Sequence, residues 1–254
     1  LQLLGDDLPP KDEVATRLAR ESSGMPLFIE ELARHVSRGD LDVGATASLD
    51  DVILRRFEKQ PAEARALLET VAMAGQPIVQ LLAWGAAGIT DHGWKSTAQL
   101  AASRLVRTTG SDSAESVECF HDRIREVVSS AMEQDRQAEI HESLARILED
   151  SGGGDPERLL YHWAGAGEAT RAAHWAEIAG DQAAASLAFD NAAELFGRSL
   201  ELLGEDASGR PDLARSRADA LSNAGRGPEA GEAYLALSAT APPETAWRLE
   251  TRAA

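Results

Sequence analysis

At an offset of 38 residues Ala192 falls on Ala230, Phe196 on Tyr234 and Gly204 on Pro242. An alanine followed four positions later by an aromatic occupies one face of a helix, because residues four apart sit one above the other. The small side chain lets a neighbouring helix approach, and the ring fills the remaining space. One such hairpin cannot bury its apolar face alone, so the second half is predicted to stack helical pairs on each other. Helices are read over 156–164, 169–179, 182–203, 211–223, 228–239 and from 243 onward. Gly165-Ala166-Gly167, Gly204 to Gly209, Gly225-Arg226-Gly227 and Pro242-Pro243 supply the turns.

The first half follows another pattern. Pro9-Pro10 ahead of Asp12-Glu13 starts a helix that Ser22-Ser23-Gly24 stops. Pro26 opens a second, with Leu27, Phe28, Leu32, Ala33 and Val36 at helical spacing, which ends before Gly44. Further helices are predicted from Ser48 to Phe57, Pro61 to Gly75, Pro77 to Ala87 and Asp91 to Leu105. Leu105 to Thr108 and Ser116 to Phe120 read as two short strands around Gly110-Ser111-Asp112-Ser113. Helices then resume from His121 to Met132 and from Arg136 to Glu149, and the glycine-rich stretch Ser151 to Pro156 is the best candidate joint between domains. Helices followed by one hairpin describe a winged-helix unit.

Charge narrows the partners. The 254 residues carry 42 acidic against 25 basic side chains, a formal charge of -17 that repels the phosphates dominating nucleic-acid affinity. The short basic clusters Arg55-Arg56 and Arg123-Ile124-Arg125 are flanked by Glu58, Asp122 and Glu126, so neither nucleic acid nor an anionic membrane is an expected partner. A single cysteine, Cys119, excludes an internal disulfide, reads as a small buried hydrophobe and fits a reducing, cytoplasmic setting. No stretch approaches the roughly 18 consecutive apolar residues of a membrane helix. The start at Leu1 and the end at Arg252-Ala253-Ala254 suggest a piece of a longer chain.

Several motifs fail as chemistry. Gly88 to Ser96 resembles a phosphate-binding loop, but Trp94 separates Gly93 from Lys95 and no strand precedes it, so an interhelix turn is expected. His121-Asp122-Arg123 has the wrong order for a kinase catalytic loop, and Val127 stands where the metal-binding Asn would be. The six histidines show no metal-ligand spacing, and solitary ones such as His162 and His174 read as packing or surface residues. No nucleophile or acid–base pair at productive spacing is visible, so this chain is not expected to be an enzyme or to hold a metal or cofactor by itself.

Two motifs rise above that background. Gly24-Met25-Pro26-Leu27-Phe28-Ile29-Glu30-Glu31-Leu32 resembles the segment that closes the helical lid of signal-transduction ATPases with numerous domains (STAND ATPases), although Met25 replaces the usual Asn. Phe120-His121-Asp122-Arg123 resembles the His-Asp motif at the end of the winged helix in the same family. The repeats behind them are similar to tetratricopeptide (TPR) repeats: Ala192, Phe196, Gly225, Ala230, Tyr234 and Pro242 match that family's packing positions, while its large first-helix residues are mostly alanine here.

The resemblance implies a mainly α architecture: the end of an ATPase helical lid over 1–44, a winged-helix-like domain over 45–134 and a TPR-like superhelix over 135–254. It implies that Pro26 packs against adenine and that His121 reaches the nucleotide β-phosphate in a closed, ADP-bound parent. ATP or ADP would then belong to the parent, since the Walker segments would precede Leu1. The wording from Ala184 to Leu203 is most similar to the C-terminal half of large bacterial serine/threonine kinases. LuxR-type transcription activators and class III adenylate cyclases share the same core. The expected role is non-catalytic regulation, with a protein or small-ligand signal bound by the repeats.

Overall fold

The computed structural model describes residues 49–110, 115–152 and 154–253. The chain divides into two compact units, Leu1–Glu133 and Gln134–Ala254. The glycine-rich stretch after Ser151 is therefore not the joint. It connects two helices inside the second unit, and the division falls instead at the short turn after Met132.

In the first unit α1 (Leu49–Glu58) and α2 (Ala62–Ala74) are followed by β1 (Ile78–Val79), α3 (Gln80–Ala86) and α4 (Gly93–Ala102). The hairpin β2 (Val106–Thr109) and β3 (Ser116–Cys119) then leads into α5 (Asp122–Ala131). The sheet is antiparallel in the order β1-β3-β2. A helix was predicted from Pro77, but Ile78 pairs with Val117 and Val79 with Ser116, so the helix begins only at Gln80. Two β-branched residues beside an open strand edge gain cross-strand pairing that a first helical turn would not provide.

Helix α2 is the hub of this unit. Leu67, Leu68 and Val71 are buried in it, and α4, α5 and β3 all pack against it. Gly75 ends the helix in the left-handed region (φ 71), a conformation that costs glycine least. The opposing surfaces are Leu100 on α4, Val117 on β3 and Ile124 and Val128 on α5, all buried.

The second unit is helical throughout its described residues: α6 (Gln134–Asp150), α7 (Pro156–Gly165), α8 (Ala169–Ala185), α9 (Phe189–Leu203), α10 (Pro211–Asn223), α11 (Gly227–Ser238) and α12 (Pro243–Ala253). A short 3-10 turn, Gly204–Gly209, joins α9 to α10. Each helix packs on the next in sequence. No helix among the described residues is long and apolar enough to cross a membrane.

A break was predicted after Ala179, yet α8 runs on to Ala185. Gly180 lies inside the helix because something else needs its missing side chain. A Cβ there would meet Phe196 Cε1 at 2.6 Å. The chain turns instead at Leu187, which is left-handed (φ 61) and 73% exposed.

That turn recurs. The N–H groups of Ala166, Ser186 and Ala224 each donate to the carbonyl four residues back, and those of Glu168, Ala188 and Arg226 to the carbonyl five back, at 3.0, 2.9 and 2.9 Å. Gly167, Leu187 and Gly225 supply the left-handed residue of each copy. Leucine at such a position carries a strain that glycine avoids. Leu187→Gly is therefore expected to raise the melting stability of the second unit by up to about 1 kcal/mol, and Gly225→Ala to lower it by a similar amount. Equal melting curves for both variants and the parent chain would remove the strain argument.

Candidate functional site

His121 sits where β3 ends and α5 begins. Its backbone is extended (φ -153, ψ 148), the geometry of a residue just outside a helix. Its Nδ1 accepts from the Arg123 N–H at 3.0 Å, which satisfies one of the helix's open donors. With Nδ1 accepting, a neutral ring carries its proton on Nε2. The side chain is half-buried. Beside it Arg123 donates from Nε and Nη2 to the two carboxylate oxygens of Asp50, at 2.8 and 2.6 Å, and so ties the start of α5 to the start of α1. Pro26, the other residue matched to a nucleotide contact, lies outside the described residues.

Behind the hairpin end, Cys119 is half-buried rather than fully enclosed. Burial pushes its thiol up to about 12, despite the nearby Arg125. A thiol held protonated is a poor nucleophile and a poor metal ligand. Gly88 to Ser96 links α3 to α4: the peptides reverse at Gly88 (φ 72) and His92 (φ 60), and Gly93 seats the Trp84 ring, whose Nε1 donates to Thr97 at 2.9 Å. The loop is filled by that indole.

The six repeat positions all fall in the second unit. Ala192 and Phe196 lie on α9, Ala230 and Tyr234 on α11, and all four are buried in one cluster with Ala218 and Leu221. Phe196 fills the space over Gly180. Tyr234 donates its hydroxyl to Asp219 Oδ1, which also accepts from Arg252 Nη1 at 2.7 Å. Burial, with the Asp219 hydrogen bond adding to it, pushes the Tyr234 phenol up to about 12. Gly225 forms the turn between α10 and α11, while Pro242 is exposed and its carbonyl accepts from Thr245 N and Ala246 N at 2.9 and 3.0 Å. Pro242 thus opens α12 and takes no part in the packing cluster.

Sequence reasoning missed a buried histidine pair. His141 on α6 and His162 on α7 approach Nδ1 to Nδ1 at 2.9 Å, and they are 6% and 0% exposed. Gly165 makes the approach possible, since a Cβ there would meet the His141 ring at 2.5 Å. Tyr161 packs edge-on against both rings. Such a bond requires one Nδ1 to carry a proton and the other to lack it. Burial, then the neighbouring His141 and Arg158, depress His162 to about 3, and burial lowers His141 as well. The pair is neutral in the folded chain at ordinary pH. No spacing rule reveals two histidines that meet only because α6 and α7 pack antiparallel.

No group of three or more His, Cys, Asp or Glu residues among those described is placed to hold a metal ion. No protein-family model, curated protein or solved structure gives a significant match to this chain.

Proposed function

We propose that this chain is a regulatory and protein-interaction segment of a signal-transduction ATPase, joined in its parent to an effector, for which a bacterial serine/threonine kinase is the first choice. The observation that carries this reading is the recurrence of one turn and one packing pair at the same interval. Leu187 and Gly225, Ala192 and Ala230, and Phe196 and Tyr234 are each 38 residues apart and match in backbone or burial. Such periodicity is the mark of a TPR-like array, whose stacked hairpins offer an extended surface to a partner. The order helix, strand, two helices, two strands, with β3 central, supports a winged-helix reading of the first unit. His121 follows its last strand, as the resemblance requires.

In the parent, a partner that binds better to an open arrangement would shift the population toward it, and a histidine hydrogen bond to bound ADP would favour the closed one. ADP or ATP would be held mainly by segments upstream of Leu1. The surplus of acidic groups argues against a nucleic-acid role for the winged-helix-like unit. Catalysis would reside in the effector.

The decisive measurement is ADP dissociation from the full-length parent. His121→Ala is expected to speed release by about tenfold, the worth of one hydrogen bond to a charged phosphate. An unchanged rate would sink the switch role and leave a plain repeat scaffold. One observation favours that second reading: His121 Nδ1 is already engaged in capping α5. LuxR-type activators and adenylate cyclases with the same core stand as alternative parents, and the sequence upstream of Leu1 would separate them.

A further inference from the structure

Along α9 and α10 the helices leave a groove of about 440 Å³, a size in the range of small-ligand clefts. Arg198, Glu201, Arg217 and Arg226 line it, with Leu195 and Leu221 buried at its floor. Two of its three guanidinium groups are already neutralised. Arg198 donates to Glu201 at 3.2 Å, while Arg226 donates from Nε and Nη2 to both oxygens of Glu229 and lies 3.8 Å from Asp190.

Arg217 differs. It makes no hydrogen bond or ion pair with any described residue, although its charge adds to the pull of Arg226 that holds Glu229 below its ordinary value. Its side chain is half-buried and lies over Gly197 of α9, where an added Cβ would stand 3.2 Å from Arg217 Nε. Glycine weakens a helix interior, yet here it keeps clear the strip of α9 that Arg217 crosses. A guanidinium cannot shed its proton and offers a fork of donors matched to one carboxylate. To find one without a partner in a chain with 42 acidic residues is the exception that asks for a ligand.

We propose that this groove binds an extended peptide of a partner protein presenting a single carboxylate among apolar or basic residues. The carboxylate pairs side-on with Arg217 and the flanking apolar atoms rest on Leu195 and Leu221. A run of acids is disfavoured, because Glu194 and Glu201 also line the groove and the chain as a whole is strongly negative. One unpaired guanidinium sets the register of one acid. The carboxylate comes from a Glu or Asp side chain or from a peptide C-terminus. This inference rests on the partner-binding role proposed for the second unit.

Three fluorescein-labelled peptides test it on the whole chain by anisotropy at low salt: a capped peptide with one Glu flanked by Leu and Lys, its Gln counterpart, and that Gln counterpart with a free C-terminal carboxylate. The Glu peptide is expected to bind at least about tenfold more tightly than the capped Gln peptide, as a charge-assisted pair implies. Arg217→Gln should erase that preference with helical circular dichroism unchanged, and Gly197→Ala should weaken it by displacing the guanidinium. Recovery of binding by the free-acid peptide would identify the C-terminus as a source; no recovery would assign the carboxylate to a side chain. Equal binding of the capped peptides, no binding at millimolar concentration, a preference that survives Arg217→Gln, or displacement by millimolar inorganic phosphate would each overturn the proposal. The His121 measurement reads ADP and not peptide, so either result can fail without the other.

Discussion

Phe196→Ala is expected to lower the stability of the second unit by about 3–5 kcal/mol, the usual cost of emptying a buried aromatic site. The ring is 2% exposed, sits in the cluster that joins α8 to α11, and lies directly over Gly180, so no neighbouring side chain can collapse into the hole. The complementary change has the opposite geometry. Gly180→Ala would gain about 1 kcal/mol of helix propensity but drive a methyl to within 2.6 Å of the ring, so a net loss of about 1–3 kcal/mol is expected. Combined, the two changes should partly cancel, because the methyl then enters space that the ring has vacated. A coupling of at least about 1 kcal/mol in the double-mutant cycle, read by urea unfolding with amide exchange in the second unit, is the expected signature. Additive losses would show that Gly180 and Phe196 do not share one packing site.

Acid should weaken the same unit through the histidine pair. Both rings have folded-state values below the ordinary histidine range, His162 at about 3, so the fold favours their neutral forms. Above the unfolded value of about 6.5 both states are neutral and the pair adds no pH dependence. As pH falls below that value the unfolded chain takes up protons that the folded pair refuses, and stability drops until the folded values are reached. From about pH 7 to about pH 5, His162 alone is expected to remove about 2 kcal/mol, with His141 adding to it. The second unit of His162→Gln should show a flatter pH profile whatever its stability at neutral pH. A profile as steep as that of the parent chain would mean that other groups, such as carboxylates, govern the acid response.

The parts of the fold that were legible in the sequence are those written in local chemistry. Pro211 and Pro243 stand at helix starts, Gly75 and Gly225 at left-handed turns, and Val106 to Thr109 with Ser116 to Cys119 form the hairpin read from their β-rich runs. His121 was legible as a cap, because a polar side chain ahead of an apolar-periodic run satisfies open backbone donors nearby. The features that escaped are those where a local preference lost to a distant neighbour. Gly180 looked like a helix end and is instead the seat of Phe196; Ile78 and Val79 looked helical and are held as a strand by β3.

Composition and periodicity, acting within one or two turns of chain, determined by themselves that this protein is mainly helical, that a small hairpin precedes the repeats, and that alanine and aromatic residues interlock at an interval of 38 residues. Tertiary structure alone decided that His141 meets His162, that Arg217 crosses Gly197 without an acidic partner, and that the first unit ends at Glu133. The physical reason is range: capping and helical periodicity are settled by residues a few positions apart, whereas a buried ring pair or an unpaired charge exists only after separate helices have packed.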